Sequence, residues 1–461
     1  MKKKTIEKES MITNLQYKYQ LPYIPHRLKQ SQVHSVNLCF FQAPMASSSP
    51  SKYLESLLDT VRPFLRGDLE SVDGNLPSFL AVLRSAGAGE CSHQHGSFLQ
   101  HLVDVYRILK IWKAPRSVCL CGLFHGAYSN AYVNLAIFDA STSRDVVRGH
   151  VGEVVERLIH LFRVIPPQKF IHDDLLFKYT DSELVEHLKA SEISLKNAKE
   201  KGLFDKDELW RKKLEALVPK NGIVMKIIKS GEDVLVAREV MCVFLLMSMA
   251  DYSEQFFGYH DQLFDNFDGK FRFLGDNYDA LLPGDGKPGL WMSSISKMGA
   301  TYTLILRDEA IILEEKKRVN GENIEEGIDE GLDLVVPPVF DNCTKVLGAK
   351  EQVEARDLYW EAICGGGGRA EELLLGCCER NPFVGEPHVV LAQVYLNQGR
   401  FEEAEKEAER GVTLMLEWGS PWDNRMSWEG WVAWGRVLLL RAKEKSWPHS
   451  AWGVLSLGLV R

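Results

Sequence analysis

The chain has 461 residues, 45% of them apolar and 26% charged, an ordinary balance for a globular protein with room for two or three domains. A formal charge of −8 and a pI near 6.0 argue against a nucleic-acid-binding surface. The longest uncharged apolar run, Val240 to Ala250, is far short of the roughly 20 residues a bilayer-spanning helix needs, so no membrane partner is expected. Nine scattered cysteines without a CxxC pair point to a reducing compartment, the cytoplasm, rather than to a disulfide framework.

Residues 1–50 differ from the rest: Lys2, Lys3, Lys4, Lys8, Lys18, Arg27 and Lys29 face only Glu7 and Glu9, and no helical period follows Tyr17. This composition suits a disordered extension, with an organellar targeting peptide as the alternative. From Ser51 the pattern turns helical, with Tyr53, Leu54, Leu57, Leu58, Val61 and Leu65 at three- and four-residue steps. Further helices are predicted over Phe98–Trp112, over Val118–His125, and through Val151, Val154, Val155, Leu158 and Leu161, the last ended by Pro166-Pro167. Residues 168–222 read as a charged insertion or lid with exposed helices, and a strongly apolar helix over 232–256 returns the chain to a core. The first helical domain is therefore placed at 51–313, an acidic linker at 314–340 and a second helical region at 341–461.

Two histidines and an aspartate stand out. His101 borders the apolar stripe of its helix, His125 shares a face with Val118, Cys121 and Gly122, and Asp251 shares one with Val240, Phe244 and Met247. Three ionisable groups facing one interior need partners, because burying an unpaired imidazole or carboxylate is costly. A divalent cation is one such partner, and imidazole with carboxylate suits manganese, iron or zinc. The competing reading is a polar core in which the histidines bond to Asp251 or to backbone. His93 and His95 lie in a turn before the first of these helices, and a loop at His95 could fold back over the pocket. Arg144 and Arg148, four apart on one face, could meet a phosphate, although ion pairs with Glu153 or Asp145 compete; His150 follows on the same helix.

The stretches His101-Leu-Val-Asp-Val-Tyr-Arg-Ile-Leu, Cys121-Gly-Leu-Phe-His-Gly-Ala-Tyr and Met249-Ala-Asp-Tyr-Ser-Glu-Gln, with Arg148-Gly-His-Val-Gly-Glu-Val-Val-Glu-Arg-Leu between them, carry a resemblance. They are similar to the HD superfamily of metal-dependent phosphohydrolases, in its guanosine-tetraphosphate hydrolase-like branch, over about residues 75–300. The resemblance implies His101, His125 and Asp251 as metal ligands. The chain departs from the family in two places. Gly126 stands where the His-Asp doublet has its aspartate, and Tyr128-Ser129-Asn130 replaces the acidic pair of the hydrolase branch. As a whole the chain looks like an uncharacterised HD-like family of plants and fungi in which glycine or serine follows this histidine.

From about 350 onward the sequence resembles tetratricopeptide repeats, 34-residue helix–turn–helix units. The fullest unit runs from Val389 through Ala392, Tyr395, Gly399, Phe401 and Ala404 to Ala408; an earlier pair covers 354–384 and a divergent one Trp428–Lys445. Such repeats imply a protein or peptide partner, or a buttress against the first domain. The expected fold is therefore all-α, an HD-like helical domain followed by a short array of tetratricopeptide-like helical hairpins. Two functions fit it. One is a protein-interaction adaptor on a degenerate HD-like domain, towards which Gly126 and the missing acidic pair tilt the balance. The other is a metal-dependent phosphohydrolase acting on a nucleotide or other phosphate ester.

Overall fold

Helices follow the apolar periods. In the computed structural model, residues 50–93, 96–128, 137–139, 143–255, 264–265, 272–273, 287–320, 334–341, 345–365 and 367–457 are described. They are overwhelmingly α-helical, with only short two-stranded pairings beside the helices. The fold is all-α. Of the extension read over 1–50, residues 1–49 lie outside the described residues, as does the turn position His95.

Helix α1 (Pro50–Leu65) buries Leu54, Leu57, Leu58 and Val61; α2 (Leu69–Val72) and α3 (Leu76–Ser85) follow. A two-residue pairing, β1 (Ser92–His93) with β2 (Gly96–Ser97), leads into α4 (Phe98–Ile111). Ser97 caps α4 by accepting from the Gln100 backbone N–H at 3.2 Å. After a three-residue link before Pro115 comes α5 (Arg116–Phe124), which packs on α4. They approach closely at Gly122, where a Cβ would collide with Leu109 and crowd Val105. Helix α6 (Arg144–Val151) and α7 (Glu153–Val164) come next, and α7 stops just before Pro166, which has no N–H to continue the ladder.

The stretch read as a charged insertion or lid with exposed helices packs one face of its helices into the core. A single turn, α8 (Pro167–Lys169), precedes α9 (Asp181–Lys201), which opens on a reciprocal cap between Thr180 and Glu183. Its charged residues face outward, but Leu184, Leu188, Ser191 and Ala198 are buried, and α10 (Leu209–Leu217) buries Trp210 and Leu214. The apolar helix over 232–256 also begins later than its hydropathy suggests. Residues 233–236 form β4 (Asp233–Val236), paired antiparallel with β3 (Ile223–Lys226). Alternating β-branched valines favour the strand, and Ser230-Gly231 turns the chain between them.

Helix α11 (Arg238–Glu254) is buried almost all round. It packs on α4, α5 and the 29-residue α12 (Met292–Asn320), along which α9 also lies. Helix α12 extends to Asn320, into the stretch read as linker, and beyond it α13 (Pro338–Asp341) buries Val339 and Phe340. Helical pairs then follow: α14 (Ala349–Gly365) with α15 (Ala370–Arg380), α16 (Glu386–Asn397) with α17 (Phe401–Trp418), then α18 (Trp428–Lys443) against α17 and the short α19 (Ala451–Ser456). Ala392, Ala404 and Ala408 are fully buried between α16 and α17, and Gly399 turns between them at φ 73°.

The described residues, from Pro50 onward, belong to one compact unit. The end of α17 docks against α1 and α4. Trp112 Nε1–H donates to the Glu417 carbonyl at 2.9 Å, Tyr53 O–H to the Glu417 carboxylate at 2.6 Å, and Arg107 Nε–H to the Gly419 carbonyl at 3.1 Å. Arg107 also lies over the Trp428 ring, 4.6 Å from its centre, while Trp112, Phe340 and Trp418 meet edge to face. Among the described residues no helix is long and apolar enough to cross a membrane.

One buried ion cluster anchors the start of α11. Asp308 of α12 accepts from Arg211 Nε at 2.7 Å and Arg238 Nη1 at 3.0 Å, and all three side chains are buried. Asp308→Asn removes the carboxylate shared by two buried guanidiniums. It is expected to cost about 3–5 kcal/mol, read as a lower urea midpoint at unchanged slope.

Candidate metal centre

Three helices converge on one polar point inside this core. Helix α4 carries His101 in its first turn, α5 ends on His125, and the last turn of α11 carries Asp251 and Glu254. The close contact at Gly122 brings α4 and α5 near enough for the two imidazoles to meet. The three-residue spacing of Asp251 and Glu254 puts both carboxylates on one face of α11.

The hydrogen bonds fix the direction of each ring. His125 Nδ1 lies 2.7 Å from the Gly122 carbonyl, which can only accept, so Nδ1 carries the proton and Nε2 faces inward. His101 Nδ1 lies 2.6 Å from Glu254 Oε2, which likewise leaves Nε2 facing inward. The two Nε2 atoms are 3.4 Å apart, and Asp251 Oδ1 lies 3.2 Å from that of His101 and 3.9 Å from that of His125. Three lone-pair atoms this close repel one another unless positive charge sits among them.

A proton is one source of that charge. Burial works against a charged His101, but the carboxylates of Glu254 and Asp251 outweigh it and raise its pKa to about 10. Burial pushes Asp251 up, yet His101, His125 and His93 together bring its carboxyl down to about 2. His125 is lowered, chiefly by burial. A divalent cation is the other source. In the plane of the three atoms, a point equidistant from all of them lies about 2.0 Å from each, within the roughly 2.0–2.2 Å of zinc–nitrogen and zinc–oxygen bonds. Two imidazoles and one carboxylate also suit non-haem iron or manganese. The residues present therefore fit a single metal ion, with Glu254 and the Gly122 carbonyl as the outer partners that orient the imidazoles.

The space beside Gly126, the residue after His125, is filled. A Cβ on Gly126 would run into the ring of Phe98, which itself stacks on His101 with planes 15° apart. The position after His125 has no room for a carboxylate unless that ring moves. Beside both Phe98 and His101 stands His93, its ring centre 4.3 Å from that of His101 and its Nε2 buried without a hydrogen-bond partner. Burial, and then the neighbouring His101, lower the His93 pKa to about 4. His93, His101 and Glu254 form a second group with metal-ligating atoms in close reach, overlapping the first at His101. Of the two turn histidines, His93 is thus the one seen beside the site.

Arg144 and Arg148, read as able to meet a phosphate with ion pairs competing, form ion pairs. Arg144 forks onto the buried Glu156 carboxylate at 2.7 and 2.8 Å, where Tyr128 O–H also donates at 2.9 Å. Arg148 pairs with Asp145 at 2.7 Å and approaches Glu156 at 3.5 Å, while His150 is exposed. Burial raises the Glu156 pKa, but Arg144 and Tyr128 outweigh it and hold the carboxyl below its ordinary value. Sequence reasoning missed the roles of Glu156 and Glu254. Glu156 was signalled by its place within the buried stripe of Val155, Leu158 and Ile159, and Glu254 by its distance of one helical turn from Asp251.

Residues 82–166 match a family model described as a domain of unknown function (DUF6817). The matched span takes in His93, His101, His125, Arg144 and Glu156 and stops before Asp251. No curated protein and no solved structure matches the chain.

The Phe98 contact makes a test of the packing. Gly126→Asp is expected to destabilise the protein by about 1–3 kcal/mol, and adding Phe98→Ala to make room is expected to cost less than the sum of the two single changes. Thermal unfolding of the two single variants and the double variant measures this. Full additivity would show that Phe98 and position 126 do not compete for space.

Proposed function

We propose that the chain binds one divalent transition-metal ion through His101 Nε2, His125 Nε2 and Asp251 Oδ1, and that it acts as a metal-dependent hydrolase of phosphate esters, nucleotides among them. One observation carries the reading. Both Nδ1 nitrogens are held by acceptors, so both Nε2 lone pairs converge on the same carboxylate oxygen.

Structural zinc sites close with four protein ligands, whereas sites with three keep positions open for water and substrate. Here Phe98 closes the side where a further carboxylate would stand, while the Asp251 side chain is 23% exposed. When bound, the cation supplies Lewis acidity and makes water a usable nucleophile near neutral pH. The chain supplies the rest. Glu254 and the Gly122 carbonyl hold the rings in one orientation, and Asp251 contributes the anionic ligand at the open side. The phosphate-ester class comes from the likeness to HD phosphohydrolases around His101, His125 and Asp251.

A second reading, the non-catalytic adaptor, is favoured by a specific observation: Arg144 and Arg148 are engaged with Glu156 and Asp145 rather than presented to a substrate. In that case His101 keeps its proton, the cluster is a charged core, and the helical pairs after residue 349 meet a protein or peptide partner.

Metal analysis of the full-length protein separates the two readings. The hydrolase reading expects about one equivalent of manganese, iron or zinc, lost in His125→Ala and Asp251→Asn, and an affinity about 10–100-fold weaker in Glu254→Gln. It also expects turnover of bis(p-nitrophenyl) phosphate that a chelator abolishes and added Mn²⁺ restores. A metal-free protein that His125→Ala merely destabilises would favour the adaptor, and bound metal without turnover would retain the site and remove the hydrolase.

A further inference from the structure

His101 has two ring nitrogens, and a group of donors gathers at each. Nε2 belongs to the set with His125 and Asp251, while Nδ1 lies 2.6 Å from Glu254 Oε2. His93 stands beside the same two residues. It sits on β1, where its pairing with Gly96 holds the backbone just ahead of α4. Its ring centre is 4.3 Å from that of His101, and the Phe98 ring meets it edge to face at 5.5 Å. One ligand atom from each of His93, His101 and Glu254 lies within 4.8 Å of the other two. The His93 Nε2 atom is buried and has no hydrogen-bond partner among the described residues. A buried ring nitrogen left without a partner is uncommon and costly, and a bound water or ion is the usual remedy.

We infer that these residues form a second cation site, and that His101 bridges two divalent ions. Its Nε2 meets the ion of the metal centre, and its Nδ1 meets an ion held with His93 Nε2 and a Glu254 oxygen. The inference rests on the metal reading of His101, His125 and Asp251. Two imidazoles and one carboxylate suit zinc or copper. Donors on one zinc ion stand about 3–4 Å apart, so the pair of His101 and Glu254 opens slightly and His93 turns in to close the set. The ion takes the place of the proton between His101 and Glu254. That proton leaves to solvent, Glu254 turns from acceptor to ligand, and His101 becomes an imidazolate with one negative charge. The first ion thereby gains an anionic donor that Gly126 cannot supply, Phe98 occupying the space there. The nitrogens of one ring point apart, so the two ions stand farther apart than the roughly 3.5–4 Å of sites that clamp one reacting group between two metals. The second ion acts on the first through the shared ring.

The test counts ions in the full-length protein, stripped with a chelator and then titrated with zinc chloride. Bound zinc is measured by mass spectrometry after gel filtration. The wild type is expected to hold about two equivalents, the second more weakly because it must displace a proton. His93→Gln is expected to hold one, and so is Glu254→Gln once enough zinc is present to fill its weakened first site. Copper(II) gives an independent readout, because two copper ions joined by an imidazolate couple their spins. The electron paramagnetic resonance signal of doubly loaded wild type is expected to fall well below that of two separate ions, while His93→Gln shows the full signal of one. One equivalent in wild type and His93→Gln alike would remove the second site and leave the first. A second equivalent retained in His93→Gln, or two copper ions without coupling, would overturn the bridge. Protein that takes up no metal would remove both this inference and the reading beneath it. Should His93→Gln fail to fold by circular dichroism, Glu254→Gln decides, because it keeps the size of the side chain and removes its charge.

Discussion

The burial of His101 between two carboxylates is the constraint around which this core is arranged. His101, His125 and Glu254 are almost completely buried and Asp251 mostly so, and each is a group that water would otherwise solvate. Removing one partner from such a buried pair typically costs about 3–5 kcal/mol, because the other is left charged and dry. Helices α4, α5 and α11 can satisfy the cluster together only in one arrangement. Leu102, Val105, Phe124, Phe244 and Met247 supply the apolar attraction, but that attraction is not directional, and the polar cluster sets the register.

Helix α4 connects this register to the rest of the molecule. Its first turn carries His101, while Arg107 and Trp112, further along the same rod, are clamped by the end of α17 and by Trp428. The helical pairs after residue 349 thus act as a buttress for the helix that bears the first imidazole. The cluster at Asp308 does the same for α11 from the other side, tying its first residue to α12. A well-packed interior transmits such restraints, so contacts far along α4 and α11 help to fix how the groups of the site are spaced.

Much of the fold was legible because it rests on periodicity. The stripe of Leu54, Leu57, Leu58 and Val61, the stop at Pro166 and the pairing of Ala392 with Ala404 and Ala408 each follow from local rules of helix geometry and volume. The convergence of His101, His125 and Asp251 was legible for a related reason, since ionisable residues at the edge of apolar stripes must find partners inside. The hairpin of β3 and β4 was not, because a short apolar run before a buried helix has the same hydropathy whether it pairs as a strand or continues the helix. The packed face of α9 was hidden behind its outward charges.

The sequence by itself determined the helical class, the approximate start and stop of most helices, and the residues whose burial would demand a partner. Those properties depend on neighbours within a turn or two, and spacing along the chain encodes them. Only the tertiary structure decided which partner each residue has. Glu254 rather than a solvent proton acceptor holds His101, Glu156 rather than a phosphate holds Arg144, and Phe98 rather than a carboxylate fills the space beside Gly126. These choices join residues from different helices, and they depend on how the helices cross. Crossing is set by the volume of every side chain in the core at once, which no local pattern records.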